Sequence, residues 1–372
     1  MPREGWKGFL GIPRSYLILQ LDVVSEPDAP SRLANAWKSP RSWKSSKTTS
    51  ALVGRSSKGM LRLDGVSKVY KVGTFGGKEL HAVRGVSFDV EDGEVVSLIG
   101  ESGSGKSTIG KMILRLISIS SGTISFDGVD ISTLKGGALK EYYRKVQGVF
   151  QDPFSSYNPI FKADRVFSMI REEFYPGIKG REWANKVESS LKAVGLNPDD
   201  VLNKFPHQLS GGQLQRFLVA RALLLDIEFL VADEIISMLD ASRRMDVLNL
   251  LADLKSRGLS ILFITHDLSL GYYISERVVI LYRGSVVEMG STEKVYFDPL
   301  HPYTKMLMAC VPRLDEKWEE VDVELRAKES EFASGCVYYE RCPLADKDEG
   351  CARDRPALVE AEPDHFVACS RC

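Results

Sequence analysis

The sequence predicts an α/β protein, and three observations carry that reading. Glu94–Ile99 is an apolar strand pattern that runs through a glycine-rich turn into the helical pattern of Ser107–Leu116. From Lys145 to Tyr282, short apolar runs alternate with amphipathic helical stretches, the pattern of a sheet flanked by helices. A mainly helical insertion interrupts that alternation between Gln151 and Ser210.

Taken in order, residues 1–59 differ from the rest. They are rich in Ser, Pro, Arg and Lys, carry Trp6, Trp37 and Trp43, and show no sustained strand or helix period. The basic run Lys38–Lys47 reads as part of a disordered, solvated tail rather than a nucleic-acid arm. Met60 directly precedes the first strand pattern and offers an alternative start of translation. Leu61–Tyr70 alternates as a half-exposed strand does, a turn at Gly73–Gly77 follows, and Val83–Val90 is a second strand. Thr123–Phe126 and Val129–Ile131, around Asp127-Gly128, extend these into a small antiparallel layer. Lys145–Phe150 is a core strand that ends at Gln151-Asp152-Pro153. Helices are expected at Val166–Phe174, Arg181–Val194 and Leu209–Leu225, the last capped by Ser210. Phe229–Ala232 is a strand delivering Asp233-Glu234, Arg243–Ser256 an amphipathic helix, Ser260–Thr265 a strand ending at His266, and Arg277–Tyr282 a late strand.

Bulk properties exclude several classes. With 372 residues, 44% hydrophobic and 27% charged, the chain has an ordinary soluble composition. A net charge of −1 gives no general affinity for nucleic acid. No apolar run approaches the ~18–20 residues that span a bilayer. Tyr16–Val24, the nearest candidate, is short and broken by Gln20 and Asp22, and no secretory leader pattern is present. A cytosolic protein, able to dock on a membrane partner, is expected.

The turn Gly100-Glu101-Ser102-Gly103-Ser104-Gly105-Lys106-Ser107-Thr108 fits the phosphate-binding pattern G-x-x-x-x-G-K-[ST]. A strand feeding such a turn and a helix N-terminus aims several backbone N–H groups at one point, where the helix dipole also favours an anion. Gly103 and Gly105 permit backbone conformations that a Cβ would block. Lys106 reaches the β- and γ-phosphates, and the Ser107 hydroxyl is offered to Mg²⁺. This marks a nucleotide site.

Further features follow in fixed order: Tyr70, the phosphate loop, Gln151, Leu209-Ser210-Gly211-Gly212-Gln213, Leu230–Glu234, Ser237-Met238-Leu239-Asp240, and Ile264–Asp267. In this combination the chain, from about Met60 onward, resembles the ATP-binding subunits of ABC transporters. The resemblance implies a P-loop NTPase core of the ABC ATPase type, with an antiparallel β layer, a helical subdomain and a small Cys-rich C-terminal extension. Strand-end Asp233 then holds Mg²⁺, directly or through water, and Glu234 polarises the water that attacks the γ-phosphate. Gln151 joins γ-phosphate, Mg²⁺ and water; His266 contacts the γ-phosphate; Tyr70 stacks on adenine. The resemblance alone gives Gln151 and His266 these roles, and a surface-packed Tyr is the plain alternative for Tyr70. Ser210, Gly211, Gly212 and Gln213 face the nucleotide of the opposite subunit, with Asp240 communicating across the interface. Two chains thus sandwich two ATP molecules, closing on binding and reopening on hydrolysis. Ile235-Ile236 departs from the family's usual Pro followed by Thr or Val, without loss of a ligand.

Downstream, Asp298–Thr304 (Asp-Pro-Leu-His-Pro-Tyr-Thr) and Leu307–Pro312 are similar to the oligopeptide/dipeptide importer branch. Of the 6 cysteines, Cys310 stands apart while Cys336, Cys342, Cys351, Cys369 and Cys372 crowd the C-terminus. In a reducing compartment such crowding points to a metal site. Four thiolates hold either tetrahedral Zn²⁺ or a [4Fe–4S] cluster. The resemblance favours the iron–sulfur cluster on Cys336, Cys342, Cys351 and Cys369, with Cys372 a substitute fourth ligand. The implied boundaries are 1–59 for the N-terminal extension, 60–295 for the ABC ATPase domain (helical subdomain about 152–209), and 296–372 for the C-terminal extension. The implied partners are a second homologous ATPase in a heterodimer, two membrane permease subunits and an extracellular substrate-binding protein, with no nucleic acid. The place is the cytoplasmic face of the membrane. Peptide uptake leads; oligosaccharide uptake is an alternative within the branch. A soluble ABC ATPase would need a second core or a long heptad insertion, and the sequence has neither.

Overall fold

The structure, a computed structural model, describes residues 60–72, 78–237, 239, 241–309, 335–344 and 349–371. These fall into two compact units, one of residues 60–133 with 260–371 and the other of 134–259. The N-terminal extension, the Gly73–Gly77 turn, Met238, Asp240, Cys310 and Cys372 lie outside the described residues.

The first stretch contributes β1 (Leu61–Val72), β2 (Lys78–Val90), β3 (Val95–Ile99), α1 (Lys106–Ile113), β4 (Ser121–Phe126) and β5 (Val129–Asp130). The expected antiparallel layer is present as a four-stranded sheet in the order β2-β1-β4-β5. Its inward face follows the alternation of β1: Leu61 and Leu63 are buried while Arg62 and Asp64 are exposed. The register slips between Leu63 and Val66, which returns Val66 to the buried face despite the odd spacing.

The middle stretch forms a unit of its own: α2 (Gly136–Lys145), β6 (Val146–Val149), α3 (Arg165–Phe174), α4 (Gly180–Ala193), α5 (Pro198–Val201), α6 (Gly211–Leu223), β7 (Phe229–Asp233) and α7 (Ala241–Ser256). Strands β6 and β7 pair in parallel from Val146↔Phe229 to Val149↔Ala232. The helical insertion packs around Phe217, which is fully buried and stacked on Phe167 at a centroid distance of 4.6 Å. Arg221, buried on α6, donates to the Gly148 carbonyl at 2.8 Å and ties that helix to β6. The α2 helix has no clear sequence signal. It opens on Gly136-Gly137, poor helix formers, and is held by burial of Tyr142 and Tyr143.

The last stretch returns to the first unit with β8 (Ser260–Thr265), α8 (Leu268–Ile274), β9 (Arg277–Tyr282), β10 (Ser285–Ser291), α9 (Thr292–Phe297), α10 (Pro302–Ala309), α11 (Glu349–Arg353), β11 (Val359–Glu362) and β12 (His365–Val367). Strand β3 lies between β8 and β9 and is parallel to both. All its residues are buried, as a parallel strand covered on both faces requires. Beyond β9 the sheet turns antiparallel: β10 pairs with β9, β12 with β10, and β11 with β12.

A buried polar knot fixes that edge. Glu288 on β10 is fully buried and accepts backbone N–H groups from Leu300 and His301, both at 2.8 Å. Its other contact is His365 Nε2 on β12, at 2.7 Å. A buried carboxylate is tolerable only when satisfied in this way. His301 Nδ1 in turn accepts the Tyr303 N–H at 3.0 Å, which needs that nitrogen unprotonated. Burial pushes the His301 pKa down from 6.5 to about 4, against an opposing pull from Glu288. Below pH 6.5 the unfolded chain therefore binds a proton that the folded chain refuses, and stability is lost as pH falls from 6.5 toward 4. The full loss is about 3 kcal/mol. His301→Asn keeps an acceptor for the Tyr303 N–H but does not titrate. Its thermal midpoint should therefore change less than the wild type's between pH 7 and pH 4.

Candidate nucleotide site

Strand β3 ends at Ile99, and the glycine-rich turn carries the chain into α1 at Lys106. Gly105 closes the turn in the left-handed region, with φ 102°. A Cβ there would strike the Ala82 carbonyl, so only glycine lets the loop pass this close to β2. Gly284 N–H donates to the Ser104 carbonyl at 2.8 Å and holds the loop from outside. Lys106 is 4% exposed. Its ammonium donates to the Gly100 carbonyl at 2.7 Å, the Glu101 carbonyl at 2.9 Å and Ser104 Oγ at 3.5 Å. Ser102 and Gly103 are exposed at the tip, while Ser107 and Thr108 are half-buried on the first turn of α1. The geometry is a glycine-rich turn wrapped around one buried cation, whose ammonium is held by loop carbonyls at the N-terminus of α1. Such a cradle suits phosphate.

The β3–β8 register pairs Ile99 with Thr265, so Gly100 and His266 leave the sheet side by side at one end. His266 is exposed there. Asp267 behind it caps α8, accepting the Ser269 N–H at 3.0 Å and the Leu270 N–H at 3.3 Å. Tyr70, half-buried on β1, has Lys68 Nζ 5.1 Å from its ring centroid, so its face already receives a cation.

In the other unit, β7 delivers Asp233, 5% exposed, followed by Glu234 at φ 49°. A non-glycine residue in that region is strained, and such strain concentrates at functional positions. The turn after it is secured by the Ser237 N–H and hydroxyl, which both donate to the Glu234 carbonyl, at 3.1 and 2.9 Å. It is also secured by burial of Ile235 and Ile236, at 1% and 2% exposure. Here two isoleucines do the anchoring at the point where the family usually places Pro. Gln151 follows β6 and is exposed. Ser210 caps α6 reciprocally: Gln213 N–H donates to Ser210 Oγ at 3.2 Å and Ser210 N–H to Gln213 Oε1 at 2.9 Å. Gly211 and Gly212 form its first turn.

Cys336, Cys342, Cys351 and Cys369 line one pocket, together with His301, Tyr338 and Ser370 among others. Gly335 allows this. A Cβ on it would collide with the Cys351 and Ala352 backbone, and Cys336 N–H donates to the Cys351 carbonyl at 2.8 Å. Burial pushes the Cys336 thiol up, although a hydrogen bond to the Tyr338 backbone opposes it. Among the described residues, no group of three or more His, Cys, Asp and Glu converges closely enough for a metal ion. The four thiols expected to hold a [4Fe–4S] cluster or Zn²⁺ thus share one pocket without forming a converged metal-binding group.

Sequence reasoning gave no role to two residues that reach the loop. The Glu101 N–H donates to Tyr303 Oη at 3.1 Å, and Arg341 Nη1 lies 3.0 Å from both Glu101 carboxylate oxygens. No local signal pairs residues so distant in sequence.

Comparison with known proteins agrees with this arrangement. The ABC transporter family matches residues 83–237, and the family described as oligopeptide/dipeptide transporter, C-terminal region, matches residues 287–351. An ATP-binding protein of Brucella ovis, provisionally named for peptide import, is 42% identical over 316 residues, covering 84% of this chain and 98% of its own. The oligopeptide transport ATP-binding protein OppF of Salmonella typhimurium is 38% identical over 299 residues, covering 78% of this chain and 88% of its own. Among solved structures, the ATP-binding cassette MJ0796 in a dimeric post-hydrolysis state with ADP and Pi aligns with TM-score 0.57 and 29% identity. That match covers 63% of this chain and 99% of the other. Among the described residues, no helix is long and apolar enough to cross a membrane. The chain belongs to the ATP-hydrolysing, ATP-binding subunits of ABC transporters, on the branch that carries the oligopeptide/dipeptide transporter C-terminal region.

Proposed function

We propose that this ATPase drives uptake of short peptides, working at the cytoplasmic face of the membrane. Its partners are two permease subunits, a second, different ATPase subunit and an external binding protein. The observation that carries the reading is the union, in one chain, of an ATP-binding core at 83–237 and the oligopeptide/dipeptide C-terminal region at 287–351. A strain lacking the protein should lose growth on di- to pentapeptides as sole amino-acid source, and regain it with the wild type. Retained peptide uptake alongside lost oligosaccharide uptake would overturn the substrate class.

In this reading ATP lies in the cradle of Gly100, Ser102, Gly103, Ser104, Gly105, Lys106, Ser107 and Thr108, its adenine against Tyr70. Ser107, Gln151 and Asp233 would hold Mg²⁺, which would neutralise phosphate charge there. Glu234 orients and deprotonates the attacking water, with His266 and Gln151 beside the γ-phosphate. The strained backbone at Glu234 supports its assignment as base. Ser210, Gly211, Gly212 and Gln213 close over the partner's ATP, and the capping box of Ser210 and Gln213 supports a preformed helix N-terminus there. Lys106→Ala should weaken ATP binding about 10- to 100-fold, as loss of a charged donor does; titration with ATP reads it. Glu234→Gln should slow hydrolysis at least ~100-fold, the usual scale for a general base, while ATP still binds and drives closure with the partner ATPase subunit in size-exclusion chromatography. Turnover at the wild-type rate would remove Glu234 from its role.

The four thiols hold a [4Fe–4S] cluster. Four thiols lining one pocket are a donor set that a [4Fe–4S] cluster or tetrahedral Zn²⁺ would use, and the similarity of the tail to the oligopeptide/dipeptide branch favours the cluster. Protein purified without oxygen should carry about four iron and four sulfide per chain, and Cys336→Ser should lose most of both. Stoichiometric zinc without iron would refute the cluster.

A further inference from the structure

Glu101 is the second residue of the phosphate loop, and it is held at three points. Its N–H donates to Tyr303 Oη at 3.1 Å, Arg341 Nη1 lies 3.0 Å from both its carboxylate oxygens, and its carbonyl accepts from Lys106 Nζ at 2.9 Å. The first two partners come from the C-terminal region, and the third is the lysine of the cradle. Tyr303 is fully buried, its ring 4.5 Å from that of Tyr282 and 5.4 Å from that of Tyr338. Packing therefore fixes where its hydroxyl stands. Arg341 Nη1 also donates to Tyr282 Oη at 3.4 Å, and the residue sits between Cys336 and Cys342 in the chain.

An acid in a phosphate loop works against the loop's ligand. The Glu101 carboxylate lies in the turn that receives ATP, and two like charges repel more strongly as water is excluded. Arg341 answers that charge. Tyr303 meanwhile occupies the Glu101 N–H and orients the peptide whose carbonyl holds the Lys106 ammonium. Contacts made before the ligand arrives remove an ordering cost that binding would otherwise meet.

We propose that Arg341 and Tyr303 are positioning residues for ATP: together they neutralise and orient Glu101, so that the C-terminal region sets the nucleotide affinity of the phosphate loop. This rests on the loop being the ATP site, and wild-type protein that failed to bind ATP would sink that reading instead.

The experiment measures ATP affinity by calorimetric titration of the full-length chain, and turnover by phosphate release from its complex with the partner ATPase and permease subunits. Arg341→Ala should raise Kd roughly two- to fivefold, the range for a partly exposed ion pair, with Arg341→Lys in between. Tyr303→Phe, which keeps the packing and deletes only the hydroxyl, should raise Kd by up to about tenfold. Turnover at saturating ATP should stay close to wild type in all three. In a Glu101→Gln background the effect of Arg341→Ala should vanish, because no charge remains to neutralise. Unchanged Kd in Arg341→Ala and Tyr303→Phe would overturn the proposal, even with a lowered thermal midpoint. So would an Arg341→Ala effect of the same size in the Glu101→Gln background.

Discussion

Within its unit, the structure depends on β3 being paired in parallel on both sides. That pairing sets a common end for three strands, and from that end the chain releases Gly100 after β3 and His266 after β8. Strand β3 is buried on both faces, and its register with β8 and β9 fixes where Gly100 leaves the sheet. The glycine-rich loop thus inherits much of its position from strand hydrogen bonds that involve none of its own side chains. Lys106 adds the local constraint, because its buried ammonium gathers the carbonyls of Gly100 and Glu101 inward.

The C-terminal region is built into the same sheet rather than appended to it. Strand β12 hydrogen-bonds to β10, and the fully buried Glu288 and His365 form a pair whose replacement on one side alone would leave a buried polar group without that partner. Around it, Tyr282, Tyr303 and Tyr338 interlock in a common core with Ile99, the last residue before the loop. The thiol-bearing segment packs against that core through Cys336 and Cys342. A mechanical path from cysteines to phosphate loop therefore consists of tightly packed aromatic rings and one ion pair.

Most of the ATPase framework was legible in the sequence because its signals are local. Strand Ser260–Thr265 and strand Arg277–Tyr282 fall where the apolar runs place them. Ser210 caps its helix as its side-chain chemistry requires. The helix after the loop is shorter than its apolar pattern suggests, ending at Ile113 because Arg115 takes a left-handed conformation. What stayed hidden is held by distant partners. The α2 helix survives two leading glycines because Tyr142 and Tyr143 are buried. Strands β11 and β12 are too short to show a period and exist because β10 offers an edge. The strain at Glu234 and the clamp on Glu101 cannot be read from residue types, since each is a property of backbone path and of contacts across long stretches of chain.

The pairing of β12 on β10 also bears on how the protein can be divided. A version trimmed to the nucleotide-binding core would keep every residue of the phosphate cradle. It would nonetheless present β10 as a bare edge, with the N–H and C=O groups now bonded to His365–Val367 turned outward. Uncovered strand edges recruit other chains. In the full chain that edge is covered by β12, and the four-residue β11 becomes the outermost strand on that side of the sheet.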